Sequence, residues 1–266
     1  MDIQLLKEKA RKVRIDVLEM ILKAGSGHFG GSYSAADILV ALYYSVMKKE
    51  TEADRDRFVL SKGHANPALY AILIDLGYVP ESEKYKLRTL GSPLQGHPDS
   101  AKCPGLDCST GSLGQGVSVG VGMALGLKHA NSDKRVFVLT GDGEIEEGIC
   151  WEAFMAAANF KLDNLVVVID RNNLQLSGST EDIMQLGNLK AKMEAFGFDT
   201  EEVDGHSFEA LIPALEKRVE KKPRCIIANT IKGKGVSYME NKAEWHGGMP
   251  KGDQIEIAYK ELGGEV

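Results

Sequence analysis

The chain has 266 residues, 43% of them hydrophobic and 26% charged, and its formal net charge is −6. This length and composition are typical of an ordinary globular protein with a sizeable core, built as one large α/β domain or two small ones. The negative charge argues against a general nucleic-acid-binding protein, whose surface would usually be basic. The four cysteines form no disulfide framework, and a reducing, cytoplasmic setting is expected.

The amino-terminal region predicts two helices separated by a glycine-rich loop. Apolar residues recur at helical spacing in Met1–Lys23, and the acids of this segment argue against a transit peptide. The loop Gly25–Gly31 contains His28, which would be exposed to whatever binds there. The stretch Ser34–Asp37 resembles a capping box at the start of a helix that reaches Met47. No run of 18 apolar residues occurs, so no membrane span is predicted.

A short strand over Arg57–Ser61 and a helix over Asn66–Leu76 are predicted next. The turn between them contains His64, which therefore lies at the carboxyl end of a strand and before a helix. A histidine in that position is suited to donate a hydrogen bond to a phosphate. The following segment, Tyr78–Ser109, lacks periodicity and predicts a long surface loop, which contains His97. Long loops in compact domains are often functional.

Glycines recur in the next helix-like segment, at positions 116, 120, 122 and 126. Each glycine inside a helix costs about 1 kcal/mol relative to alanine. Such a pattern favours a helix that packs very closely against another backbone, or that lies in a subunit interface. A dinucleotide-binding fingerprint is the alternative, but no strand precedes these glycines and their spacing differs from that motif.

The central segment predicts a β-α-β unit, with strands at Val136–Thr140 and Leu165–Asp170 and a helix at Glu147–Phe160. The first strand ends at a Gly-Asp-Gly triplet around Asp142, and the second is followed by Asn172. Neighbouring parallel strands are about 5 Å apart, so both side chains can reach the same ion. A carboxylate, an amide oxygen and a backbone carbonyl leave room around Mg²⁺ or Ca²⁺ for two phosphate oxygens and a water. This pattern predicts a cation site that holds a diphosphate.

The carboxyl-terminal part continues the alternation of strands and helices. It predicts a weak strand at Phe198–Val203, a turn at Asp204–His206, a helix at Ser207–Lys221 and a buried strand at Arg224–Asn229. The last strand ends in the loop Thr230–Gly235, a third polar loop at a carboxyl end. The whole pattern predicts an α/β fold, with a mostly parallel sheet and helices on both faces, as a single domain over residues 1–266.

The triplet around Asp142, followed 30 positions later by Asn172, resembles the thiamine-diphosphate motif of thiamine-dependent enzymes. Essentially the whole chain resembles the amino-terminal, diphosphate-binding domain of transketolase. The other motifs in the family's order are Ser26-Gly27-His28, Ser61-Lys62-Gly63-His64, Gly96-His97-Pro98, Thr110–Gly116 and His246-Gly247. The resemblance implies the PP-type fold, with thiamine diphosphate and Mg²⁺ (or Ca²⁺) as cofactors.

The resemblance also implies a role for individual positions. The implied metal ligands are Asp142, Asn172 and the backbone carbonyl of Leu174. The implied cofactor-binding residues are His64, Gly111, Leu113, Gly143, Leu176, Ile231 and His246. His28 and His97 match histidines that form hydrogen bonds with the sugar substrate and help to transfer its protons. The resemblance implies that His64 and His246 share this role. Glu147 and Glu152 match acids that link cofactor sites across a subunit interface.

Full transketolases continue into a pyrimidine-binding domain and a third domain, whereas this chain stops where the first domain ends. The expected function is that of an amino-terminal transketolase subunit, which transfers a two-carbon ketol unit between sugar phosphates of the pentose phosphate pathway. A carboxyl-terminal subunit is the expected partner, with two copies of each chain. Two alternatives stay open: half of another thiamine enzyme, such as 1-deoxyxylulose-5-phosphate synthase, and a non-catalytic relative. Ser112 replaces the family's usual proline, which is a mild departure.

Overall fold

Five parallel strands form the sheet around which the molecule is built. In the computed structural model, which describes residues 2–48, 51 and 54–264, they are β1 (Arg57–Leu60), β2 (Val136–Gly141), β3 (Leu165–Arg171), β4 (Asp199–Asp204) and β5 (Arg224–Asn229). Their order across the sheet is β1-β2-β3-β5-β4, and every neighbouring pair is parallel. The predicted α/β fold is confirmed, and the bounds of each predicted strand agree with those observed to within one residue.

Helices connect the strands. They are α1 (Ile3–Ala24), α2 (Phe29–Ala41), α3 (Asn66–Asp75), α4 (Gln115–His129), α5 (Gly148–Asn159), α6 (Thr180–Ile183), α7 (Leu189–Ala195), α8 (Phe208–Glu216) and α9 (Asp253–Glu261). A turn of π-helix follows α2. The first helix was predicted to begin at Met1, which lies outside the described residues. Across the described residues, no helix is long and apolar enough to cross a membrane.

Side chains along β1, β2, β3 and β5 alternate between two hydrophobic clusters, one on each face of the sheet. In β1, Phe58 and Leu60 pack with α1, α2 and α3, whereas Val59 packs with α4 and α5. In β2, Phe137 and Val138 divide in the same way. This alternation follows from the strand geometry, and burial of both faces explains why these four strands read as apolar runs, whereas the edge strand β4 is largely polar.

The predicted capping box at Ser34–Asp37 is wrong. The second helix begins at Phe29, with His28 as its N-cap, so Ser34 lies inside the helix. Its hydroxyl group donates to the buried carboxylate of Asp170 on β3, 2.6 Å away, instead of capping a backbone N–H group. The sequence pattern was misleading because a serine that reaches a distant acid looks the same as a serine that caps a helix.

The glycines of α4 divide into two sets. A Cβ atom at Gly116 would lie 2.7 Å from the Cα of Ser61, and one at Gly120 would lie 2.3 Å from a methyl group of Val138. Both glycines therefore permit the close approach of α4 to the sheet that the sequence predicted. At Gly122 and Gly126 a Cβ atom would meet nothing within 4 Å. Close packing within the chain thus explains the first two glycines but not the last two.

We expect Gly120→Ala to destabilise the isolated chain by about 1–3 kcal/mol, because Val138 on the interior strand β2 is buried and has little room to move away. The matched change Gly126→Ala is expected to stabilise it by up to about 1 kcal/mol, since only helix propensity changes there. Urea unfolding of both variants would check this. Equal effects of the two substitutions would contradict the packing explanation.

Candidate active site

The carboxyl ends of β2 and β3 bring Asp142 and Asn172 together. The two strands are neighbours, and Gly141 pairs with Asp170 in the ladder, so the residues that follow emerge side by side. The Asp142 carboxylate accepts hydrogen bonds from the backbone N–H groups of Gly143, at 2.8 Å, and of the residue after Asn172, at 2.6 Å. The structure thus places both predicted metal ligands at one edge of the sheet, as the β-α-β pattern required.

The burial and the hydrogen bonds of Asp142 are those expected of a carboxylate that binds a cation. It is 2% exposed, and its hydrogen-bond partners among the described residues are backbone N–H groups. Burial, together with the negative charge of Asp170, raises the pKa of Asp142 to about 6. A buried carboxylate without a directly bound cation is unfavourable, so a divalent ion beside it would relieve this cost. The donor set of the chain therefore fits the implied metal.

Lys232, which the sequence analysis did not select, lies beside the third predicted ligand. Its ammonium group donates to the backbone carbonyl of Leu174, at 3.0 Å, and to that of Gln175, at 3.2 Å, and it lies 3.1 Å from Nδ1 of His246. A carbonyl oxygen has two lone pairs, so the contact leaves one for a cation. Burial, followed by the charge of Lys62, lowers the pKa of Lys232 to about 8. The signal was present in the Lys-Gly-Lys-Gly loop, but its lysines resembled ordinary surface residues.

A second lysine forms a buried ion pair below the site. The ammonium group of Lys62 is 2.5 Å from the carboxylate of Asp170, and both side chains are almost completely buried. Asp170 also accepts hydrogen bonds from the hydroxyl groups of Ser34 and Thr230. Burial opposes ionisation of Asp170, but the charge of Lys62 and the hydrogen bonds from Lys62, Ser34 and Thr230 together outweigh it, so the pKa of Asp170 is lowered. This network joins four elements: β1 through Lys62, α2 through Ser34, β3 itself, and the end of β5.

Glu144 performs a similar structural task on the other side of Asp142. One carboxylate oxygen of this buried residue accepts from the hydroxyl of Ser61, at 2.5 Å, and from the backbone N–H of Gly114, at 2.9 Å. The other oxygen accepts from the hydroxyl of Thr140, at 2.8 Å, and from the N–H of Gly141, at 3.0 Å. Glu144 thereby fixes the ends of β1 and β2 to the start of α4.

Four histidines from distant parts of the chain cluster above the strand ends. The ring centroid of His28 lies 5.4 Å from that of His64, 5.3 Å from that of His246 and 6.4 Å from that of His97. Burial is the first cause that lowers the pKa of each, to about 4 for His28 and about 3 for His246. The rings are therefore neutral near pH 7, and each has one N–H donor and one acceptor.

A cavity of about 510 Å³ lies between this cluster and the strand ends. Of the predicted site residues it is lined by His64, Leu113, Asp142, Gly143, Glu147, Asn172, Leu174, Leu176 and His246. It is also lined by Lys62, Glu144, Gln175 and Lys232, which the prediction missed. His28, His97, Gly111, Glu152 and Ile231 are not among its lining residues. Two leucines at the edge of the cavity are exposed to solvent, Leu176 at 68% and Leu113 at 38%.

The predicted interface acids lie on α5 and at its amino end. Glu147 is the N-cap of this helix and Glu152 lies on its exposed side, where Met155 is 60% exposed. The neighbouring helix α4 exposes Val119 and Leu125. We call this exposed side of α4 and α5 the apolar face.

A parallel sheet that presents a buried carboxylate, an amide oxygen and two lysines at its carboxyl edge, beside a cavity of this size, defines an α/β domain that binds a diphosphate cofactor. Residues 6–266 match the family model described as transketolase, thiamine diphosphate binding domain. The chain belongs to the transketolase family, and the predicted resemblance is confirmed.

Named relatives include both short and long proteins. The chain is 44% identical over 268 residues to an apulose-4-phosphate transketolase subunit of Phocaeicola vulgatus, covering 98% of this chain and 95% of the relative. It is 41% identical to a 6-deoxy-6-sulfo-D-fructose transketolase subunit of a Clostridium species, covering 97% and 96%. The crystal structure of transketolase from Campylobacter jejuni superposes with a TM-score of 0.92 at 35% identity, and the match covers 44% of that chain. The chain thus spans nearly all of the named subunits and less than half of that longer transketolase.

Proposed function

We propose that this chain is the amino-terminal subunit of a two-chain transketolase, which transfers a two-carbon ketol unit from a ketose phosphate to an aldose phosphate. The observation that carries the proposal is the match over nearly the whole length of proteins that are themselves named as transketolase subunits. The paired ligands Asp142 and Asn172 and the adjoining cavity support the same function.

In this proposal, Asp142, Asn172 and the Leu174 carbonyl hold Mg²⁺ or Ca²⁺, and the ion together with Lys232 neutralises the cofactor's diphosphate. When bound, thiamine diphosphate supplies the carbanion that accepts the two-carbon unit. His64, Gly143 and His246 contact the diphosphate, Gly111 and Leu113 lie beside the aminopyrimidine, and Leu176 and Ile231 lie beside the thiazolium. The cavity lining supports the assignments of His64, Gly143, Leu113, Leu176 and His246, whereas those of Gly111 and Ile231 rest on the family resemblance alone.

The histidines have a defined starting state for proton transfer. Arg88 has only N–H donors, and its guanidinium lies 3.4 Å from Nδ1 of His28, so that nitrogen accepts and Nε2 carries the proton. Lys232 imposes the same arrangement on His246, because its ammonium group faces Nδ1 of that ring. Both neutral rings then offer an Nε2–H group to a sugar oxygen, and His97 and His64 share the work.

The expected partner is a carboxyl-terminal transketolase subunit, and we propose two copies of each chain. The apolar face and the exposed Leu113 and Leu176 supply surface for these contacts, and Glu147 and Glu152 would meet their counterparts there. We further propose that residues 1–266 form one thiamine-diphosphate-binding domain that works in the cytoplasm. The substrate class is supported by the names of two relatives, one called an apulose-4-phosphate transketolase subunit and the other a 6-deoxy-6-sulfo-D-fructose transketolase subunit. The substrate class is therefore a ketose, of which the pentose phosphate pathway sugars are one example.

The test is to purify the chain alone and together with the carboxyl-terminal subunit, and to assay ketol transfer from a panel of ketose phosphates with thiamine diphosphate and Mg²⁺. We expect at most weak cofactor binding and no turnover from the chain alone, and robust transfer from the mixture. Robust turnover by the isolated chain would contradict the proposal. Decarboxylation of pyruvate followed by condensation, without ketol transfer, would favour the synthase-like alternative.

A further inference from the structure

His206, in the turn after β4, bridges two elements that the proposed mechanism does not connect. Its Nδ1 atom lies 2.6 Å from a carboxylate oxygen of Asp37 on α2. Its Nε2 atom accepts a hydrogen bond of 2.9 Å from the backbone N–H group of Ile231. The sequence predicts a turn at this Asp-Gly-His stretch, without a function for the histidine. The structure shows that its ring spans from a helix on one face of the sheet to the loop after β5.

The contacts of the ring fix the position of its proton. The guanidinium of Arg14 forms two hydrogen bonds with Asp37, at 2.5 and 3.3 Å, and both side chains are buried. Burial opposes ionisation of Asp37, but Arg14 and the bond from His206 outweigh it and lower the pKa of Asp37. The ionised carboxylate accepts from Nδ1–H, which leaves the lone pair on Nε2 free for Ile231. Arg14 and His206 thus both donate to Asp37, and the backbone N–H group of Ile231 donates to His206.

This series of hydrogen bonds ends at a loop that reaches the cavity. Backbone N–H groups fix the loop on either side of Ile231: Thr230 donates to the carbonyl of Arg171, at 3.0 Å, and Gly233 donates to that of Gly30, at 3.1 Å. Between these two anchors, Lys232 extends to the Leu174 carbonyl and to His246. The bond to His206 supplies the anchor for Ile231 itself. Without it, a partly buried N–H group immediately before Lys232 would lack its protein acceptor.

We propose that His206 is a positioning residue that fixes the Thr230–Gly233 loop through Ile231, and so holds Lys232 in the cavity where a diphosphate cofactor binds. The effect on cofactor binding rests on the proposed function, whereas the position of the loop does not. Substitution of a residue that orients a binding group typically weakens binding 10- to 100-fold. Because Asp37 and Arg14 orient His206, they act one step further from the cofactor.

Two substitutions separate the two bonds of the ring. In His206→Asn, an amide of suitable length can still donate to Asp37 but has no acceptor near Ile231. In His206→Gln, the longer amide can accept from Ile231 and loses the bond to Asp37. We expect amide hydrogen exchange of the 230–235 segment in the free chain to become at least about tenfold faster in His206→Asn. In His206→Gln it is expected to stay within about threefold of the wild-type rate.

The same variants are compared for binding of thiamine diphosphate with Mg²⁺, by calorimetry in the presence of the partner subunit. We expect about tenfold weaker binding for His206→Asn and nearly unchanged binding for His206→Gln. Phe154→Leu, a core change on the other face of the sheet, controls for lost stability and is expected to leave loop exchange and binding unchanged. Equal exchange in His206→Asn and wild type, or equal acceleration in Phe154→Leu, would overturn the proposal. Absence of cofactor binding by the wild-type complex would instead count against the proposed function.

Discussion

Replacing Asp142 with alanine is expected to weaken Mg²⁺-dependent binding of thiamine diphosphate at least about 100-fold and to abolish ketol transfer. Asp142 is the one carboxylate in the proposed set of three ligands, so its loss removes the negative charge that attracts the ion. Calorimetric titration of the complex with cofactor, with and without EDTA, measures the effect. EDTA is expected to reduce cofactor binding by the wild-type complex to the level of the variant.

The conservative change Asp142→Asn separates function from folding. Burial and Asp170 raise the pKa of Asp142, which means that the ionised carboxylate is unfavourable in the free folded chain at pH 7. The neutral amide removes that cost but keeps only one of the two acceptor oxygens, so the melting temperature of the free chain is expected to change little although cofactor binding is lost. Cofactor affinity that stays within threefold of wild type would show that Asp142 is not a metal ligand.

Local patterns in the sequence were sufficient to predict the architecture and the position of the site. The strands at Val136 and Leu165 are buried on both faces, so they appear as apolar runs that end in polar residues, and the topology of parallel sheets places those ends together. Asp142 and Asn172 could therefore be selected before the structure was known. What each of them contacts could not be read in the same way.

The residues that the sequence did not reveal act through contacts between distant segments. Lys62 and Asp170 are 108 positions apart, and Ser34 and Asp170 are 136 apart. A lysine after a strand and a serine inside a helix have common explanations at the surface or at a helix end, and those explanations were preferred. The sequence likewise predicted no function for His206, because a histidine in a turn is usually exposed. Long-range pairs of polar residues leave no periodic signal in a sequence.

The charges that line the cavity are mixed. Two lysines, Lys62 and Lys232, lie there together with four acids, which are Asp142, Glu144, Glu146 and Glu147. Asp170 neutralises the first lysine, whereas Lys232 contacts two carbonyl oxygens and a neutral histidine rather than an acid. Lys232 is therefore the lysine that is available to a diphosphate, and a cation held at Asp142 would offset the charge of the surrounding acids.

Replacing Lys62 with methionine is expected to lower the free energy of unfolding by about 3–5 kcal/mol, because it leaves the carboxylate of Asp170 buried without its cation. The hydroxyl groups of Ser34 and Thr230 still donate to Asp170, but neither supplies a charge. Urea unfolding of the free chain at pH 7 measures the loss. The double variant Lys62→Met with Asp170→Asn is expected to recover most of it, since the uncompensated charge is gone.

Lys221→Met is the matched control for this substitution. Lys221 pairs with Glu220 at 3.1 Å, but their side chains are 69% and 81% exposed, so the same change is expected to cost less than about 1 kcal/mol. A loss at Lys62 as small as that at Lys221 would mean that the Asp170 carboxyl takes up a proton or water without strain. In that case the contacts of Asp170 with the segments around it would be stabilised by hydrogen bonds rather than by the ion pair. A large loss that the double variant fails to recover would assign the stabilisation to packing of the lysine side chain rather than to its charge.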